Sequence, residues 1–198
     1  MRRLYIMKPF HKDKRFWFIL VTSLIAISLY LFWDSSFLIR SVATVCFLFI
    51  FYIGDRVYNI KFTNYHYILF ILLVTAGVLA SPLYFIWPSY DKIQHFIMPI
   101  FMSFLTFHMV NKLKLDMKWK IWFTFFTVVA ILGMFEIVEY ILDYIFDFKL
   151  QGVFLRDETG LNKFTIIQEP IDDTMIDLCF GVLGSFIYLV YSSIKRKN

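Results

Sequence analysis

Residues 121–145 read IWFTFFTVVAILGMFEIVEYILDYI, an apolar stretch whose only charged residues are Glu136, Glu139 and Asp143. About 20 largely apolar residues suffice to cross the hydrocarbon core of a bilayer. This run is longer than that and carries no lysine or arginine, so it reads as a membrane-spanning helix. A water-facing helix needs a polar face; here apolar side chains surround the axis for most of the length. The acids are therefore the anomaly. Glu136 and Glu139 are three apart and Asp143 is one turn further, which puts them on one side of the helix.

On either side of it, residues 16–33, 37–54, 65–87, 93–110 and 175–194 also qualify by length and apolarity. The expectation is an all-α fold, a polytopic transmembrane helical bundle of about six helices forming one transmembrane domain, residues 16–194. Residues 1–15 form a basic N-terminal segment, 146–174 a long polar outer loop and 195–198 a basic tail. The other connections are short, so consecutive helices are antiparallel neighbours. The run at 16–33 follows a basic segment as a signal peptide would, but no small-residue cleavage pattern follows it, so it reads as an uncleaved first helix.

Lysine and arginine placement orients the bundle. With both termini cytoplasmic, fifteen of the twenty basic residues fall on the cytoplasmic side. Arg40, Lys92, Lys149, Arg156 and Lys163 fall on the outer side. Every cytoplasmic segment is then basic, and removing any one helix would break the alternation. Trp17, Trp33, Trp87, Trp119 and Trp122 lie at expected helix ends, as an interfacial aromatic belt requires. Gly77 with Ser81, and Gly181 with Ser185, form small-xxx-small faces suited to close helix packing.

Composition agrees. The 198-residue chain is 60% hydrophobic and 21% aromatic, with 18% charged residues and a mean hydropathy of +0.66. The net charge of +5 comes from short clusters flanking apolar runs, not from a basic stripe, which argues against a nucleic-acid partner. Cys46 and Cys179 sit far apart inside apolar runs and signal neither a disulfide framework nor a zinc ribbon. The expected environment is a lipid bilayer, most simply a bacterial plasma membrane, crossed several times.

The acids are as one-sided as the bases. Only Asp13, Asp55 and Asp116 of the fifteen belong to cytoplasmic segments. Asp91 and His95 share a face at the start of the fourth helix, and Asp173 and Asp177 do so at the start of the sixth. Those helices run inward and the fifth runs outward, so these pairs and Glu136 with Glu139 converge in the outer half of the bundle. A charge near mid-membrane costs about 2.5–3.5 kcal/mol on insertion scales. Two glutamates one turn apart also repel unless a proton, a basic partner or a cation intervenes. Lys92 and Arg40 are the available cationic partners. Carboxylates with one imidazole suit Mg²⁺, Mn²⁺ or Zn²⁺. The expected metal ligands are Asp91, His95, Glu139, Asp173 and Asp177, with Glu136 as general base or a further ligand. Read singly, Asp91 and Asp173 are equally good helix N-caps, His95 a satisfied buried histidine and Asp143 a solvated end. His66 and His108 lie near cytoplasmic helix ends. Neither HExxH nor the di-iron Glu-x-x-His spacing is present.

Three ordered motifs, Tyr90-Asp91-Lys92-Ile93-Gln94-His95-Phe96, Phe135-Glu136-Ile137-Val138-Glu139-Tyr140 and Asp173-Thr174-Met175-Ile176-Asp177-Leu178, resemble the YjdF-like inner-membrane proteins within the broader VanZ-like set. The resemblance runs from about residue 65 to residue 192. It departs at Ile171-Asp172, where an aromatic residue and no extra acid are expected. It implies a shared site and no particular activity.

Three functions fit these residues. The first is a metal-dependent hydrolase or transferase at the outer leaflet, acting on a lipid-linked or cell-envelope substrate under the 146–174 loop. The second is a non-catalytic accessory or resistance factor whose acids hold a structural ion. The third is an ion- or proton-coupled transporter, which needs a polar path to the cytoplasm for which the inner halves of the helices offer only His66 and His108.

Overall fold

The computed structural model describes residues 13–32, 37–147, 149–156 and 164–195. Most of the basic N-terminal segment (1–12), residues 33–36 including Trp33, residue 148, part of the expected outer loop (157–163, including Lys163) and the end of the tail (196–198) lie outside the described residues. Among the described residues there are six α-helices, and five of them are long and apolar enough to cross a membrane. Helices are the economical answer in lipid because every backbone N–H and C=O is satisfied within the segment. The chain divides into two compact units, Met1–Leu79 and Ala80–Asn198.

The first unit contains α1 (Lys14–Phe32), α2 (Phe37–Val57) and α3 (Asn64–Val74). Ile19, Ala26, Leu48, Tyr52 and Tyr67 form its core. The Ser41 hydroxyl donates to the Ala26 carbonyl at 2.6 Å, tying α2 to α1. Phe51 stacks on Phe70 with ring centroids 3.9 Å apart and on Phe62 at 4.7 Å. Polar groups pair where α1 and α3 begin and α2 ends. Arg15 donates to Asp13 Oδ1 (2.9 Å), Asp55 Oδ2 (3.0 Å) and the Phe62 carbonyl (3.0 Å). Asp55, buried at 3% exposure, also accepts from the Tyr67 hydroxyl (2.8 Å) and the Phe62 N–H (3.0 Å). Burial alone would raise the Asp13 pKa, but hydrogen bonds and charge from Arg15, helped by Arg56, hold it below the usual carboxylate value. His66 closes a capping box with Thr63 at the start of α3, so its role there is structural.

The continuous helix expected over residues 65–87 is not formed, and among the described residues this run is not one of the five helices long and apolar enough to cross a membrane. After α3 the chain makes a π-helical turn, Thr75–Leu79, and then a 3₁₀ turn, Ser81–Phe85. Pro82 stands at the start of that turn. Proline has no N–H to donate and its ring clashes with the preceding turn, so an α-helix cannot run through unaltered. The length and apolarity of the run conceal this break.

The second unit contains α4 (Ser89–Val110), α5 (Met117–Phe146), a hairpin of β1 (Val153–Arg156) and β2 (Phe164–Gln168), and α6 (Pro170–Lys195). The strands pair antiparallel, Phe154 opposite Ile166 and Val153 opposite Gln168, with a bulge between Val153 and Phe154. The 146–174 connection is therefore not a plain loop: it holds the hairpin, and α6 begins five residues before the expected 175. The three long helices pack around glycine contacts. A Cβ at Gly181 would lie 2.6 Å from Leu132 Cδ1 of α5, and one at Gly184 would fall on the Phe96 carbonyl oxygen of α4. Bare glycine thus lets the α6 backbone touch α4 directly. Pro99 sits inside α4, buried against the same contact.

Candidate functional site

At one end of the second unit, α4 and α6 begin and α5 finishes. Helix geometry then does the positioning: four residues make about one turn, so Asp91 and His95 stand above one another on α4, as do Asp173 and Asp177 on α6. Glu136 and Glu139 enter from α5.

Lys92 is the hub. Its ammonium donates to Asp91 Oδ2 at 3.0 Å, to Asp177 Oδ1 at 2.8 Å and to Asp173 Oδ1. A lysine has three N–H donors, and here each meets a different carboxylate. Asp173 and Asp177 are 4% and 3% exposed, so this is a largely desolvated cluster. His95 lies beside it, with Nε2 3.5 Å from Asp91 Oδ1 and Nδ1 3.6 Å from Glu136 Oε1. Both separations exceed those of well-formed N–H···O hydrogen bonds. Glu136 is buried and takes a hydrogen bond from Thr174. Glu139, one turn on, takes no part in these pairs.

One oxygen or nitrogen each from Asp91, His95 and Asp177 can lie within 4.8 Å of one another, close enough for a single ion to be shared. Of the expected ligands, these three come together. Asp173 adjoins them through Lys92 and Glu136 through His95, while Glu139 lies outside the triplet. Asp91 and Asp173 are not N-caps: α4 starts from Pro88, and Asp173 lies within the first turn of α6.

The chain around the site is anchored to it. Asp143, read from sequence as solvated, accepts backbone N–H bonds from Leu150 (2.8 Å) and Gln151 (2.7 Å). Gln151 donates its amide to the Thr174 hydroxyl at 2.9 Å, and the Gly152 N–H donates to Asp173 Oδ2 at 2.8 Å. Gly152 has φ +88°, a conformation that favours glycine. From the 3₁₀ turn, the Tyr84 hydroxyl donates to Oε1 of the buried Gln94. Sequence reasoning does not find Tyr84, Gln94 or Gly152. Pro82 inside an apolar run is the available signal for Tyr84; Gln94 lies within the 90–96 motif but has no spacing signal of its own, and nothing local marks Gly152.

Helices of this length and apolarity, closing around a buried charged cluster, define a polytopic integral membrane protein. The chain belongs to the family described as predicted membrane protein (DUF2238), whose model matches residues 14–198. No curated protein and no solved structure matches it.

Proposed function

We propose that this protein is a divalent-metal-dependent enzyme of the plasma membrane, acting on a lipid-linked or cell-envelope substrate at the outer leaflet. The observation that carries this reading is the Asp91–His95–Asp177 triplet, with its donor atoms within 4.8 Å of one another. Two carboxylates and an imidazole suit Mg²⁺, Mn²⁺ or Zn²⁺ and leave coordination positions for water and substrate. Charge supports it too. Among the described residues, five carboxylates, Asp91, Glu136, Glu139, Asp173 and Asp177, share the region with one lysine, Lys92, so further positive charge, as protons or metal, must balance them at this depth. A bound ion would polarise a carbonyl or phosphoryl oxygen and make its water acidic. Glu136, beside His95, would take up the released proton. The outer placement is part of this reading and rests on the second unit alone. Lys112, Lys114, Lys118 and Lys120 around the α4–α5 connection and Lys195 at the end of α6 lie at the opposite ends of these helices from the acids, the cytoplasmic side by charge placement. The YjdF-like motif order belongs to the same reading.

A second reading has its own observation. Lys92 already supplies a cation to three of the carboxylates, as it would in a non-catalytic accessory protein whose cluster is structural. Elemental analysis of the detergent-purified protein distinguishes the two. The enzyme reading expects about one divalent ion per chain, lost in Asp177→Asn and His95→Ala variants that remain inserted. Wild-type protein that takes up no ion, even when dialysed against Mg²⁺, Mn²⁺ and Zn²⁺, leaves the accessory reading.

A further inference from the structure

Lys92 touches two of the three residues that would hold the ion. Its ammonium lies 3.0 Å from Asp91 Oδ2 and 2.8 Å from Asp177 Oδ1. A divalent ion shared by Asp91 and Asp177 would sit within a few ångströms of that ammonium, where like charges repel strongly in a poorly solvated site. The third contact differs in kind. Asp173 is outside the triplet, and its other oxygen is fixed by the Gly152 N–H at 2.8 Å. A lysine that let go of Asp91 and Asp177 would therefore still have a charged, anchored partner. Its flexible four-carbon stem gives the head the reach to swing between the two positions. His95 is the second sign that a ligand belongs here: its side chain is only 10% exposed, and neither ring nitrogen is within good hydrogen-bonding distance of the carboxylate beside it.

We propose that Lys92 is a tethered cation that fills this site in the metal-free protein and sets which ions it accepts, a divalent ion entering by displacing the ammonium from Asp91 and Asp177 onto Asp173. The inference rests on the metal reading above. It makes the lysine a specificity-determining residue: a monovalent ion gains too little from the carboxylates to dislodge an ammonium, whereas a doubly charged one gains more from each oxygen. No covalent bond is made or broken in the exchange; one cation leaves two carboxylates as another arrives.

The test is Mn²⁺ binding to the full-length purified protein, followed by electron paramagnetic resonance of the free ion. Lys92→Gln removes the competitor and should tighten Mn²⁺ binding ~10-fold or more. Lys92→Arg keeps the charge and should bind no more tightly than wild type. Should the unbalanced carboxylates prevent Lys92→Gln from folding, the double variant Lys92→Gln/Asp173→Asn removes one charge of each sign, spares the triplet and should also tighten binding. Wild-type binding with no gain in either variant overturns the tethered-cation role and leaves the metal reading intact. If neither wild type nor any variant binds Mn²⁺, both fail.

Discussion

At the residue scale, the cost of burying charge governs what each side chain does. Lys92 and its aspartates are mutually dependent because leaving one partner of a buried ion pair alone costs about 3–5 kcal/mol. Metal-free Lys92→Gln should lose thermal stability accordingly, and Mn²⁺ should restore it by mass action on the folded state. Thermal unfolding with and without Mn²⁺ checks this; a variant that Mn²⁺ leaves as unstable as before contradicts the exchange. Asp13 makes a second prediction. Its folded pKa is lowered, so its contribution is present above the unfolded carboxylate pKa and is lost as pH falls through the lower folded value. Asp13→Asn should weaken the first unit at neutral pH and flatten its stability loss on acidification. Unfolding midpoints from pH 7 downward should converge for the two proteins.

At the scale of elements, glycine and proline decide how closely helices approach and where they stop. Gly184→Ala puts a methyl group on the Phe96 carbonyl oxygen, and over-packing of this kind costs about 1–3 kcal/mol. Because Phe96 follows His95, the same variant should disturb the triplet, lowering stability and Mn²⁺ affinity together. An effect on neither would show that the α4–α6 contact does not position the site. Gly152→Ala forces a side chain into a φ of +88° beside the Gln168 carbonyl. It should loosen the bond to Asp173, read as faster protease cleavage in the 146–169 connection with the helices intact. Some of these elements are legible in the sequence. Length and apolarity locate five long helices, and spacing puts Asp91 over His95. The break at Pro82 is hidden because average hydropathy registers side-chain transfer and is blind to a missing backbone donor. The strands escape notice because each is only four or five residues long and takes its register from its partner.

At the scale of the whole molecule, the proposed orientation has a direct test. With Cys46 and Cys179 replaced, a cysteine at Lys114 should resist a membrane-impermeant thiol reagent applied from outside intact cells. One at the exposed Glu169 should react. The opposite pattern would invert the topology, and labelling of both from outside would mean that α5 does not cross the bilayer. The site needs only this sidedness from the membrane, since all its described residues lie in the second unit.

The sequence alone determined that this chain spans a membrane, because transfer energies are properties of local runs of residues. Tertiary structure alone decided that Lys92 joins Asp91 to Asp173 and Asp177, that His95 meets Glu136, and that Gly152 holds Asp173. These contacts link positions up to 85 residues apart. Their distances follow from helix crossings set by glycine contacts, which no local pattern of apolarity encodes.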